Sequence, residues 1–111
     1  MPAPATAPES AIFHLRPDGC IATWNEQAAR LLGYSSDEAL DRYFAWFSPI
    51  DEVQRGESER ELRLARARGH LECDGWRHRK DGSKFWAHVM IEAIRDAAGD
   101  LEGFALETSA G

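Results

Sequence analysis

The tightest constraint on the fold is Lys80-Asp81-Gly82-Ser83, set between two strand-like runs, Leu71 to Arg79 and Lys84 to Arg95. Asp-Gly between alternating apolar and polar residues signals a hairpin, because glycine supplies the positive φ that a tight turn needs. Successive side chains on a strand point to opposite faces. Ala87, Val89 and Ile91 therefore share one face of the second run, and Trp86, His88 and Met90 share the other. A three-residue loop, Lys80 to Gly82, with Gly82 in a left-handed bulge position, places Trp76 opposite Trp86 and Cys73 opposite Val89. A two-residue loop would put Trp76 opposite Ala87. The first is favoured, since it pairs two aromatics directly, a contact worth roughly 0.2–1 kcal/mol.

The rest of the chain organises around this hairpin. Met1 to Ser10 is rich in Pro and Ala without hydrophobic period and reads as a disordered linker, so structure is expected to begin at Ala11. Ala11 to Leu15 and Cys20 to Trp24 flank the turn residues Arg16-Pro17-Asp18-Gly19 and predict a first hairpin. Asn25 can cap a short helix that carries Ala28, Ala29, Leu31 and Leu32 and ends at Gly33. Ser35 and Glu38 form a capping box for a second helix, Ser36 to Leu40. The aromatic run Tyr43 to Phe47, stopped by Ser48-Pro49, is too short for a long helix and plugs the core. Beyond a break at Gly56, Glu57 to Arg68 is made of strong helix formers with a narrow apolar stripe, Leu62 and Ala65, and closes at Gly69. Its charges read as a solvated face. Ala97 to Asp100 is a turn, and Leu101 to Thr108 is the last strand, leaving Ser109 to Gly111 as a tail.

Composition narrows the functional classes. A chain of 111 residues supports one domain, and the order of its expected strands and helices makes it α+β. Nineteen acidic against thirteen basic side chains give a net charge of −6, which disfavours nonspecific binding to nucleic acid or anionic membrane. Two cysteines, Cys20 and Cys73, are too few for a disulfide scaffold and lack metal-ligand spacing, so a reducing, cytoplasmic setting is expected. No run reaches the ~20 apolar residues of a membrane span. There is no nucleophile elbow, phosphate-cradling glycine loop or His-Glu-x-x-His pair, and Asp18, Asp81 and Asp100 are explained by turns, so no enzyme activity is expected.

Four segments in order carry a family resemblance. They are Pro17-Asp18-Gly19 with the strand ending Trp24-Asn25, Gly33-Tyr34-Ser35, the run Gly75 to Trp86, and Arg95-Asp96 with Gly99 and Gly103-Phe104. Together they resemble a PAS domain, the sensor module of bacterial signalling proteins such as sensor histidine kinases and PAS-containing transcriptional regulators, over Ala11 to Thr108. The resemblance implies a five-stranded antiparallel sheet in the order 2-1-5-4-3, with short helices on one face enclosing a small-ligand cavity. It further implies a homodimer and a covalently linked effector domain. Where many members carry an Asp-x-Thr motif after the last strand, this chain has Glu107-Thr108-Ser109-Ala110-Gly111.

On that fold the pocket is expected to be lined from the first strand and the helices by Phe13, Leu32, Tyr43, Phe44, Phe47 and Leu62. From the sheet come Cys73, Val89, Ile91, Phe104 and Leu106. Trp76, Trp86, His88 and Met90 fall on the opposite face and form an apolar patch suited to self-association. The expected function is a non-enzymatic sensory and dimerisation module that binds a small ligand or partner, without cofactor or metal. The alternative within the same fold is a redox or oxygen sensor holding haem or FAD. Neither cysteine lies in the reactive Asn-Cys-Arg-type motif of the photosensory flavin branch, and the helix Glu57 to Arg68 has no histidine to ligate haem; His70 lies just beyond it. A freestanding enzyme using Asp, His and Cys side chains is a third reading, resting on a reactive Cys73. Arg77, His78, Arg79, Lys80 and Lys84 read as a solvated hairpin tip.

Overall fold

The computed structural model describes residues 10–54 and 56–110. Four antiparallel strands, β1 (Ser10–Leu15), β2 (His70–His78), β3 (Lys84–Arg95) and β4 (Leu101–Ala110), form one sheet in the order β1-β4-β3-β2. Between β1 and β2 the chain runs through α1 (Glu26–Leu32), α2 (Ser36–Ala39), a 3₁₀ turn (Phe44–Phe47), α3 (Ile50–Gln54) and α4 (Glu57–Arg68).

The strand order agrees with 2-1-5-4-3 once the expected second strand is removed, and that strand is the main departure. Cys20 to Trp24 forms no ladder; only the bridges Leu15↔Ile21 and Cys20↔Tyr43 remain. Side-chain competition ends the pairing. The backbone N–H of His14 donates to Thr23 Oγ1 at 3.0 Å, while the N–H groups of Ala22 and Thr23 both donate to the His14 carbonyl. A hydroxyl thus takes the place of the next ladder carbonyl, a local bond of the kind by which Ser and Thr compete with regular structure. The other edge of the segment bonds to the loop before the 3₁₀ turn, with Ile21 donating to Arg42 and Asp41 donating to Ile21.

The long hairpin follows the three-residue reading. Trp76 faces Trp86 and Cys73 faces Val89, Arg79 N–H donates to Ser83, and Gly82 at φ 89° donates back to Arg79. The caps are those expected. Asn25 accepts from Ala28 N–H, and Ser35 with Glu38 completes the capping box. The last strand extends past Thr108 through Ser109 and Ala110, which pair with Ser10 and Ala87, so these residues are not a tail. Of the expected lead-in only Ser10 is described, and it opens β1; the remainder lies outside the described residues.

The helices cover one face of the sheet. Phe13, Ile21, Leu32, Val89, Ile91 and Phe104 are the largest fully buried side chains there. Close approach is required at Gly103, beside an irregularity in the β3–β4 register at Ile94/Arg95. A Cβ at Gly103 would sit 2.2 Å from the Leu15 carbonyl oxygen, and its φ of 152° lies where side-chain-bearing residues are rare.

Candidate functional site

Between the covered face of the sheet and the helices lies a cavity of about 10 Å³, lined by Phe13, Leu32, Phe44, Phe47, Arg77, Leu106 and Thr108. Five of these were expected from the sequence. Four elements place them: β1 points Phe13 inward, the Asn25-capped α1 delivers Leu32, the 3₁₀ turn turns Phe44 and Phe47 down, and β4 supplies Leu106. The rings interlock, Phe13 against Trp24 at 5.0 Å and Phe47 at 6.1 Å. Trp24 also holds the loop between α1 and α2, donating from Nε1 to the Tyr34 carbonyl at 2.9 Å.

The other six expected lining residues lie elsewhere in or beside the core. Val89, Ile91, Phe104 and Leu62 are packed without bordering the cavity. Tyr43 is half-buried against Phe44, over Gly19. Cys73 is half-buried beside the core. Burial first, then the Glu61 charge, pushes its thiol up to about 11, so it is protonated and inert at neutral pH. That removes the support for a Cys73-based enzyme.

Arg77 and Thr108 are the residues that the sequence reading missed. Arg77 does not join the solvated hairpin tip; its side chain is 9% exposed. The signal was available, because a Trp76 that faces outward obliges Arg77 to face inward with Cys73 and Gly75. The basic run around it masked that inference. Its guanidinium folds back along β2, donating from Nη1 to the Trp76 carbonyl at 2.9 Å, and Nη2 lies 3.7 Å from Glu61 Oε1 on α4. Gly75 leaves the room: a Cβ there would sit 3.2 Å from Nη1. Arg79 donates to the Leu31 carbonyl at the end of α1 and lies over Phe85, and Lys80 pairs with Glu38.

The opposite face of the sheet carries the second group of expected site residues. Trp76 and Trp86 meet edge to face at 5.2 Å and remain 41% and 48% exposed. Ile12 is exposed on the same face, and Met90 helps line a shallow depression of about 290 Å³ with Ile12, His70 and Glu107. His88 sits between Trp86 and Met90, its Nδ1 2.6 Å from Asp74 and its Nε2 3.1 Å from Glu72, which also meets His70 at 3.3 Å. The bond to Asp74 raises the His88 pKa above its ordinary value, and Glu72 is held low chiefly by His70. Among the described residues no group of His, Cys, Asp and Glu has metal-binding geometry, and no helix is long and apolar enough to cross a membrane.

The residues present do not fit haem or FAD. The cavity has room for about one water, against the ~300–1,000 Å³ of pockets for drug-sized ligands. No histidine lines it, and His70 lies on the far face of the sheet.

Residues 8–107 match the PAS domain family. Two-component system protein A of Emericella nidulans is 43% identical over 90 residues, 80% of this chain and 13% of that protein's length. Among solved structures, a PAS domain of a Colwellia psychrerythraea protein superposes with a TM-score of 0.83 at 20% identity, over 92% of this chain and 86% of that one. The PAS domain of a LuxR-family transcriptional regulator from Burkholderia thailandensis, in complex with ethanol, gives 0.74 at 24% identity, over 91% and 88%. The blue-light photoreceptor Aureochrome1 LOV, in its light state, gives 0.71 at 22% identity, over 93% and 80%.

Proposed function

The chain belongs to the PAS domain family, and from that premise we propose that it is a non-enzymatic sensory module whose interior cavity takes a small molecule. Occupancy is relayed through the sheet and its flanking segments to an effector domain on the same polypeptide, in a cytoplasmic two-component or other signalling protein. Such a relay requires the ligand to bind one conformation better than another. The observation that carries the reading is Arg77, a guanidinium buried at an aromatic-lined cavity. A charge taken out of water costs several kcal/mol after relaxation, and apolar replacement of a buried ion pair is often neutral or stabilising. Packing alone therefore gives little reason for it; recognition of a polar ligand group does. The closed cavity holds about one water, so a ligand of a few heavy atoms, such as the ethanol bound by the Burkholderia regulator, enters only as the cavity opens. Effector linkage is supported by the E. nidulans protein, of whose length this chain spans 13%.

The test is native mass spectrometry of the purified protein, followed by acid release. A small molecule bound in stoichiometric amount supports the reading; the bare polypeptide mass, with no response to any small polar probe, counts against it.

A second reading is favoured by the exposed Trp76–Trp86 pair: self-association through the open sheet face, with Trp76, Trp86, His88 and Met90 at its centre. Interfaces concentrate aromatics and Met at their cores. Trp86→Glu should leave the fold intact and shift sedimentation towards monomer. An unchanged profile for that variant and for Met90→Glu excludes this face.

A further inference from the structure

We propose that the ligand is a small monocarboxylate with an apolar body, and that it binds by taking the place of Glu61 as the partner of Arg77. This rests on the cavity reading above and names its chemistry. The lining supplies both halves of the specificity. Phe13, Leu32, Phe44, Phe47 and Leu106 offer only carbon to the body of a ligand, while Arg77 and Thr108 are the two lining residues with polar side chains for its head. Arginine carries five N–H donors in a planar fork that matches a carboxylate. Here one goes to the Trp76 carbonyl, and the contact with Glu61 is long at 3.7 Å, short of the ~2.7–2.9 Å of a charge-assisted bond.

Charge selects the valence. One guanidinium balances one negative charge, so a dianion such as phosphate would carry an uncompensated charge into an apolar site. A monoanion added while Glu61 stayed would do the same, so Glu61 has to leave. Its side chain is 23% exposed against 9% for Arg77, although the oxygen that faces Arg77 is buried. Entry also requires the aromatic 3₁₀ turn to yield, since the closed cavity holds about one water.

The exchange has a mechanical result. α4 is tied to the sheet at its end by Arg95, which donates to the Arg66 carbonyl at 2.8 Å, and in its middle through Glu61, which faces Arg77 and Cys73. The ligand releases the middle tie and leaves the end tie, so occupancy loosens one helix relative to the sheet.

Propionate, 1-propanol and propylamine share size and shape and differ in the head group. Their affinities for the full chain, read from amide NMR shifts at fixed ionic strength and neutral pH, test the proposal. Propionate should bind at least about tenfold more tightly than 1-propanol, with faster amide exchange in α4, and propylamine should not bind. Glu61→Gln should tighten propionate several-fold. The double variant Arg77→Gln/Glu61→Gln removes both charges together and should erase the preference for propionate. Equal binding of propionate and 1-propanol, or a propionate affinity indifferent to Glu61→Gln, overturns the carboxylate proposal and leaves the cavity standing. No shift at cavity residues with any of the three overturns the cavity reading itself.

Discussion

The two faces of one sheet are built to opposite rules. On the covered face most large side chains are closed over, and Arg77, the one charged side chain buried there among the described residues, is held by a carbonyl and a distant carboxylate. On the open face two tryptophans stand half in water among His88, Glu72 and Asp74. The same strands make both faces, so alternation along β2 and β3 is what separates them. A tightly packed face transmits small displacements, whereas an open one is free to meet a second surface.

Truncation breaks the comparison most directly. Phe13→Ala should cost about 3–5 kcal/mol, as removal of a fully buried aromatic does. Trp86→Ala on the open face should cost under about 1 kcal/mol, the value of an exposed cross-strand pair. Chemical denaturation of the two variants measures the difference, and equal losses would show that the faces are not distinct. Next comes Gly103→Ala, which forces a Cβ against the Leu15 carbonyl and should cost roughly 2–3 kcal/mol through strain at the β1–β4 junction. Thermal or denaturant unfolding reads it, and wild-type stability would mean that the strands separate there at no cost.

Cys73 sharpens the picture at lower energy. With its thiol pushed up to about 11, alkylation at pH 8 should be more than about a hundredfold slower than that of an unhindered thiol, since only the thiolate reacts. Timed mass spectrometry of iodoacetamide adducts gives the rate, and fast labelling of Cys73 would mean an open covered face. The smallest effect belongs to His88, whose pKa is raised first by the bond to Asp74. A raised histidine contributes stability that is fully present below its unfolded value, ~6.5, and is lost as pH rises through the folded value. Asp74→Asn should move the NMR titration of His88 downward; an unmoved midpoint would mean that the contact is not formed in solution.

Much of the fold was legible. The hairpin register followed from one turn and one aromatic pair, and both helix caps followed from Asn25 and from Ser35 with Glu38, because those signals act within a few residues. The second strand was not legible, since the choice of His14 N–H between a backbone carbonyl and the Thr23 hydroxyl is settled only in three dimensions. Arg77 was misplaced because local composition was weighed above alternation. The cavity edge was half legible: which residues turn inward follows from period, but which of them border a 10 Å³ gap depends on fractions of a side-chain volume.

The four tryptophans divide between the two sides, Trp24 and Trp46 among the helices and Trp76 and Trp86 on the open face. Their indole N–H signals in a dilution series of amide-resolved NMR spectra therefore test the separation of roles in one measurement. The signals of Trp76 and Trp86 should move with protein concentration while those of Trp24 and Trp46 stay fixed; movement of Trp24 and Trp46, or none at all, would contradict it.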